Sequence, residues 1–256
     1  MANTKRYGPA RSDAEPRDPG LHCARPATRD KADRHATCTP FLLVSTDSVV
    51  LFRPQRRDLV FMALATKNLT IDSNLTWVEV EKRIAVEKDP VVLENLTLVH
   101  DHMKYESVGN LDGVLGTLCT SPEYKFHVPG FEHVSGNGSQ ESIREFYDQL
   151  LIKGGAHRLQ YIVDRVTADR HAVTTEGEFL WAYPGRTLAG MGITVDDPDA
   201  YYAASCRQLI IWPRHATEPK LTGEEVWVDR DMFIGIAERK VTDFIDADPG
   251  DEWRTA

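Results

Sequence analysis

Between residues 158 and 229 four strand-like segments follow one another: RLQYIVDRVTADR, HAVTTEGEFLWAY, AYYAASCRQLIIWP and LTGEEVWVD. Each is rich in β-branched and aromatic residues and is set off from the next by turn residues, the pattern of an antiparallel meander. Such a sheet has a face to bury, and helical patterns precede it. The longest is DPVVLENLTLVHDHMKYESVGN. Asp89 is placed to cap it, Pro90 takes its first position, Val92, Leu96, Val99 and Met103 form its apolar stripe, and Gly109 ends it. Shorter helices are expected over TWVEVEKRIAVEKD, with Thr76 as cap, over LDGVLGTLC, and over GSQESIREFYDQLL. The last is capped by Ser139 and buries Ile143, Phe146, Tyr147, Leu150 and Leu151. Before it, SPEYKFHVPG reads as a strand that ends in a Pro-Gly turn. Helices first and a meander after predict an α+β domain, its helices packed on one face of a curved antiparallel sheet. The loop 184–199 is long for a connection and is placed to cover a cavity mouth.

Charge divides the chain. Residues 1–61 carry 11 Lys/Arg against 7 Asp/Glu, a net +4, whereas the rest carries 19 against 32, a net −13. The first 39 residues lack periodicity and cannot bury enough apolar surface to offset their ordering entropy. Residues 1–61 therefore read as a disordered or poorly packed extension, 62–88 as a linker with a short helix, 89–231 as the folded domain, and 232–256 as an acidic tail. Met62 is a second candidate start. An overall charge of −9 argues against a nucleic-acid surface. No apolar run reaches membrane-span length. The four cysteines, at 23, 38, 119 and 206, include no CxxC pair, and with no apolar leader the expectation is reduced thiols in the cytoplasm.

The order of elements, with LDG, IREFY and KLTGEEVWVD in their places, resembles the nuclear transport factor 2-like superfamily from about residue 89 to 229. The first two motifs look most like its ketosteroid isomerase and SnoaL-like polyketide cyclase branch. The resemblance implies a cone-shaped sheet wrapped around helices with a pocket inside, and a homodimer through the outer sheet face. It also implies departures. His102 stands by count where the isomerases carry an oxyanion-stabilising tyrosine, and Ser205 where they place a protonated acid. The segment TTEGEF has glycine where limonene epoxide hydrolase has arginine. Neither of those two reactions is therefore expected.

His127 falls where the isomerase-like enzymes hold their catalytic aspartate, at a strand end before the turn, and imidazole suits a general base near neutral pH. Its plainer reading is a strand-end histidine bonded to backbone. Arg207 lies in a strand otherwise nearly free of charge. Alternation puts Ser205, Arg207 and Leu209 on one face and Cys206, Gln208 and Ile210 on the other. A hairpin would set Glu224 or Glu225 opposite Arg207, as a buried ion pair or as a polar pocket wall. Glu176 and Glu178 share a face, with Thr175, Gly177 and Phe179 on the other. Tyr124 and Tyr147 are candidate hydroxyl donors to an oxyanion. Trp181 and Tyr202 are candidate substrate walls, with His102 as an outside candidate on the long helix. His100 and His102, two apart on a helix, cannot share an ion, and no metal or cofactor is expected. The function these residues suggest is acid–base chemistry on a hydrophobic polyketide-, terpenoid- or steroid-like molecule: isomerisation, cyclisation, dehydration or hydrolysis. The alternative is a non-catalytic ligand-binding or dimerisation module of the same fold.

Overall fold

A computed structural model describes residues 68–128 and 138–247, all within one compact unit. The expected extension 1–61, the Pro129-Gly130 turn and residues 248–256 lie outside the described residues.

Strand β1 (Asn68–Asp72) leads through a 3-10 turn into helix α1 (Val78–Ile84). Thr76 does not cap this helix. Trp77 stands at the cap position without a side-chain hydrogen bond, and the Thr76 hydroxyl accepts the Tyr161 N–H at 3.1 Å. Helix α2 (Pro90–Val108) begins and ends as its sequence predicts. Asp89 accepts from the N–H groups of Val91 and Val92, and Gly109 closes the helix in the left-handed conformation at φ 71°. Then come α3 (Leu111–Thr117), β2 (Lys125–His127) and α4 (Gln140–Tyr147), capped by Ser139 and continued by a wider π-type turn over Asp148–Lys153.

Strands β3 (Leu159–Ala168), β4 (Ala172–Pro184), β5 (Tyr201–Pro213) and β6 (Glu225–Val228) form the expected antiparallel meander. β2 pairs with β6 in parallel, so the sheet is mixed at that edge, in the order β2-β6-β5-β4-β3. The register between β3 and β4 slips between Val163 and Arg165. A β-bulge of this kind bends a sheet. Gly177 faces it across the ladder, where a Cβ would lie 2.2 Å from the Ile162 carbonyl oxygen.

The inner sheet face and the helices share one core. Val92, Leu96, Val99 and Met103 of α2 and Ile143 and Tyr147 of α4 pack with Tyr161, Phe179, Cys206, Ile210 and Trp212. The segment expected as an acidic tail has structure through residue 247. After a 3-10 turn (Ile236–Glu238), β7 (Lys240–Val241) pairs with β5, and β8 (Asp243–Ala247) pairs in parallel with β1. Leu69 and Ile71 of β1 are thereby buried against Leu180, Ala182 and Ala203 on the outer sheet face. The loop expected at 184–199 contains a short helix, α5 (Gly185–Gly190). Among the described residues no helix is long and apolar enough to cross a membrane.

Candidate active site

A cavity of about 580 Å³ lies between the inner sheet face and the helices. Its aromatic wall is a stack: Tyr161 on Phe179 with centroids 4.2 Å apart, and Phe179 on Trp181 at 4.5 Å. Thr187 and Met191, from α5 and the residue after it, also line it.

Four segments bring polar groups to one region of this cavity. Helix α2 supplies His102 and, one turn on, Glu106, which a spacing of four sets on the same helix face. The helix is tied to the sheet by Asn95, which donates to the Asp169 carbonyl at 3.0 Å and accepts from Arg214 at 2.6 Å. The second and third contributions depend on Gly223. At φ +150°, its position would put a Cβ 2.0 Å from the Glu123 carbonyl oxygen, so only glycine lets the two chain segments close up. The Lys125 N–H then donates to the Glu224 carbonyl at 2.8 Å, and Tyr124 comes beside Glu224. Helix α4 brings Tyr147.

The hydrogen bonds fix where protons sit. The Thr117 hydroxyl donates its one hydrogen to the Val114 carbonyl at 2.6 Å, so toward His102 Nδ1, 2.7 Å away, it can only accept. Nδ1 therefore carries a hydrogen. Nε2 is turned toward Glu224 Oε1 at 3.1 Å, the Tyr147 hydroxyl at 3.2 Å and the Tyr124 hydroxyl at 3.4 Å. Tyr147 donates to Glu224 Oε1 at 2.9 Å. With that hydrogen committed, Tyr124 donates to the Tyr147 oxygen, also at 2.9 Å. Nε2 and Oε1 thus face each other at hydrogen-bond distance, a pair placed to share one proton. Burial, and after it the Glu224 charge, raises both phenols well above the usual tyrosine range. The same two causes, in the same order, raise Glu106 well above the usual carboxylate range and favour its neutral acid.

His102 and Tyr124 are wholly buried, whereas Tyr147, Glu224 and the half-buried Glu106 line the cavity. Two sets of groups are close enough to share a cation: the ligand atoms of His102, Glu106 and Glu224 lie within 4.8 Å of one another, and so do those of Cys119, His215 and Glu218.

Of the residues singled out in the sequence, His102, Tyr124, Tyr147 and Glu224 are thus brought together, and Trp181 lines the same cavity. The others are not. His127 stands on the outer sheet face, stacked on Trp227 at 4.4 Å, with Nε2 3.1 Å from Glu225. Alternation along β2 gives the inward position to Phe126 instead. Arg207 is also on the outer face. It bonds Glu176 through Nε and Nη2 at 2.9 and 2.7 Å and Asp164 through Nη1 at 2.7 Å, so its partners come from β4 and the bulge rather than from Glu224 or Glu225. Ser205 shares that face, 3.5 Å from Arg230. Tyr202 is buried but turns its hydroxyl to Asp196 at 2.5 Å and accepts the Asp197 N–H at 3.1 Å, which pins the 184–199 loop. Glu106 was not singled out. Its signal was the four-residue spacing from His102.

No family model matches the sequence, and no curated protein does. Solved structures are similar to it in shape. A putative SnoaL-like polyketide cyclase from Shewanella putrefaciens is 9% identical over 63% of this chain and 92% of its own, with a TM-score of 0.48. An NTF2-like protein from Anabaena variabilis is 16% identical over 57% and 96%, with a TM-score of 0.41. A putative polyketide cyclase from Xanthomonas campestris is 14% identical over 58% and 98%, with a TM-score of 0.43. The described residues of this chain form a bent mixed sheet packed over helices, with a chamber between them.

Proposed function

We propose that the chain is a cofactor-independent acid–base enzyme acting on a hydrophobic small molecule that carries at least one reactive oxygen. The observation that carries this reading is the convergence of Glu224, Tyr147 and Glu106 on one cavity, backed by the buried pair His102 and Tyr124. Glu224 acts as the base that removes a proton from the substrate. The ring of His102, its tautomer set by Thr117, and the Tyr124–Tyr147 relay hold the carboxylate in place and stabilise its charge. Glu106, favoured as the neutral acid, donates a proton to the substrate oxygen on which charge develops. Two carboxyl groups in unlike protonation states divide base and acid roles in this way. Isomerisation, cyclisation, dehydration and hydrolysis all fit the scheme. The aromatic stack favours polyketide-, terpenoid- or steroid-like rings.

A homodimer on the outer sheet face would have to use the part that β1 leaves open, around Trp227 and His127. A cytoplasmic location is proposed from the two free, buried thiols of Cys119 and Cys206.

The test is a thermal-shift screen of ring ketones and phenols, followed by turnover assays on the hits. A ligand at 100 times its dissociation constant adds about 2.7 kcal/mol of stability. Glu224→Gln should keep binding and lose turnover. Bound ligands that the wild type never converts would instead indicate the binding module.

A further inference from the structure

We infer that His102, Glu106 and Glu224 form a site for a divalent transition cation, and that the cation competes there with the protons the cavity uses. Three observations point to it. The ligand atoms lie within 4.8 Å of one another. For bonds of about 2.1 Å, neighbouring ligands around a metal are roughly 3.0–3.4 Å apart, and the 3.1 Å separation of His102 Nε2 and Glu224 Oε1 already matches that edge. The histidine is also prepared for a metal. Its Nδ1–H is spent on Thr117, itself anchored to the Val114 carbonyl, so the other ring nitrogen is presented at a fixed angle. A ligating imidazole needs this outer support. Finally, Glu106 lines the cavity close to Glu224, and among the described residues no Lys or Arg lines it. Two carboxyl groups whose one basic neighbour in the cluster is the His102 ring leave room for a positive ion.

One nitrogen and two carboxylate groups suit Zn²⁺, Co²⁺ or Mn²⁺ better than Mg²⁺ or Ca²⁺, which prefer oxygen alone. The cation enters from the cavity, the protons on the Nε2–Oε1 pair and on Glu106 leave to solvent, and no oxidation state changes. Binding stands on geometry alone. Its consequence rests on the acid–base reading: a metal on these lone pairs inhibits turnover.

The experiment is titration of the full, metal-stripped chain with Co²⁺, followed by calorimetry and visible absorption, with Mg²⁺ as control. One saturable Co²⁺ site is expected, without a thiolate charge-transfer band, and Mg²⁺ should not compete. Glu106→Gln, on the cavity wall, should abolish saturable binding while the thermal melt stays cooperative. Thr117→Val should weaken binding about 10–100-fold. His102→Gln should act as Glu106→Gln does, and if it fails to fold, the Glu106 variant decides alone. A folded chain without saturable binding, or binding that survives Glu106→Gln, overturns the inference. So does a signal confined to a thiolate band that Cys119→Ser removes, which would assign the metal to Cys119, His215 and Glu218. Zn²⁺ that binds without slowing an active wild type overturns only the inhibition. A wild type that binds metal but never turns over any ligand overturns only the acid–base reading.

Discussion

Along β4 and β5, successive residues alternate between two environments. Facing inward, Phe179, Trp181, Gln208, Ile210 and Trp212 line the cavity, with the acid–base cluster nearby. Facing outward, Glu178 stands opposite Arg207 and Glu176 opposite Leu209, in a lattice of ion pairs that includes Arg207 with Glu176 and Asp164 and Arg230 with Glu178 and Asp229. Beyond it, β1 lays Leu69 and Ile71 over Leu180, Ala182 and Ala203. On the outer face each of these acids has an arginine partner and the side chains are partly open to water, which is how a sheet surface stabilises itself. The inner face gathers two carboxyl groups, two phenols and one imidazole where solvent is scarce. That arrangement is costly for folding and useful for moving protons.

The contrast breaks most sharply at Glu224. Glu224→Gln should lower turnover by about 10²–10⁴-fold, measured by steady-state kinetics on the first converted ligand. A smaller loss would show that the inner cluster is structural, like the outer one. On the other side of the sheet, Ile71→Ala removes a wholly buried side chain. It should reduce stability by about 2–5 kcal/mol in denaturant titration and leave the ligand's dissociation constant unchanged. Arg207→Ala leaves Glu176 and Asp164 without their common partner. Because the three side chains are 18%, 23% and 38% exposed, the expected loss is about 1–2 kcal/mol, below the cost of breaking a fully buried pair, again without a change in turnover. His127→Ala should have the least effect: its side chain is 47% exposed and paired at the surface, so stability should move by less than about 0.5 kcal/mol and turnover not at all. A His127 variant that lost activity would carry the site across the sheet and reverse the comparison.

The helix ends were legible because their signals are local. Asp89, Pro90, Gly109 and Ser139 act on backbone groups within a few residues, and each is found in its expected role. Thr76 failed as a cap because a distant N–H, that of Tyr161, claimed its hydroxyl. Part of the site was visible too. His102, Tyr124, Tyr147 and Glu224 could be singled out as residue types in suitable places, but not as neighbours. Their meeting depends on Gly223 against Glu123 and on the depth at which α2 crosses the sheet. The tail beyond Asp231 was misread because its acidic composition hides short strands whose partners, β5 and β1, lie far back in the chain.

The sequence by itself determined the order of helices and strands, most of their limits and the alternation of faces along each strand, since these follow from periodicity and from caps that act over one turn. Only the tertiary structure decided which face turned inward. Period two makes both choices equivalent until the helices and β1 cover opposite sides. That decision sent His127 and Arg207 to the outer face and gave Glu224 the cavity, beside Glu106 of α2.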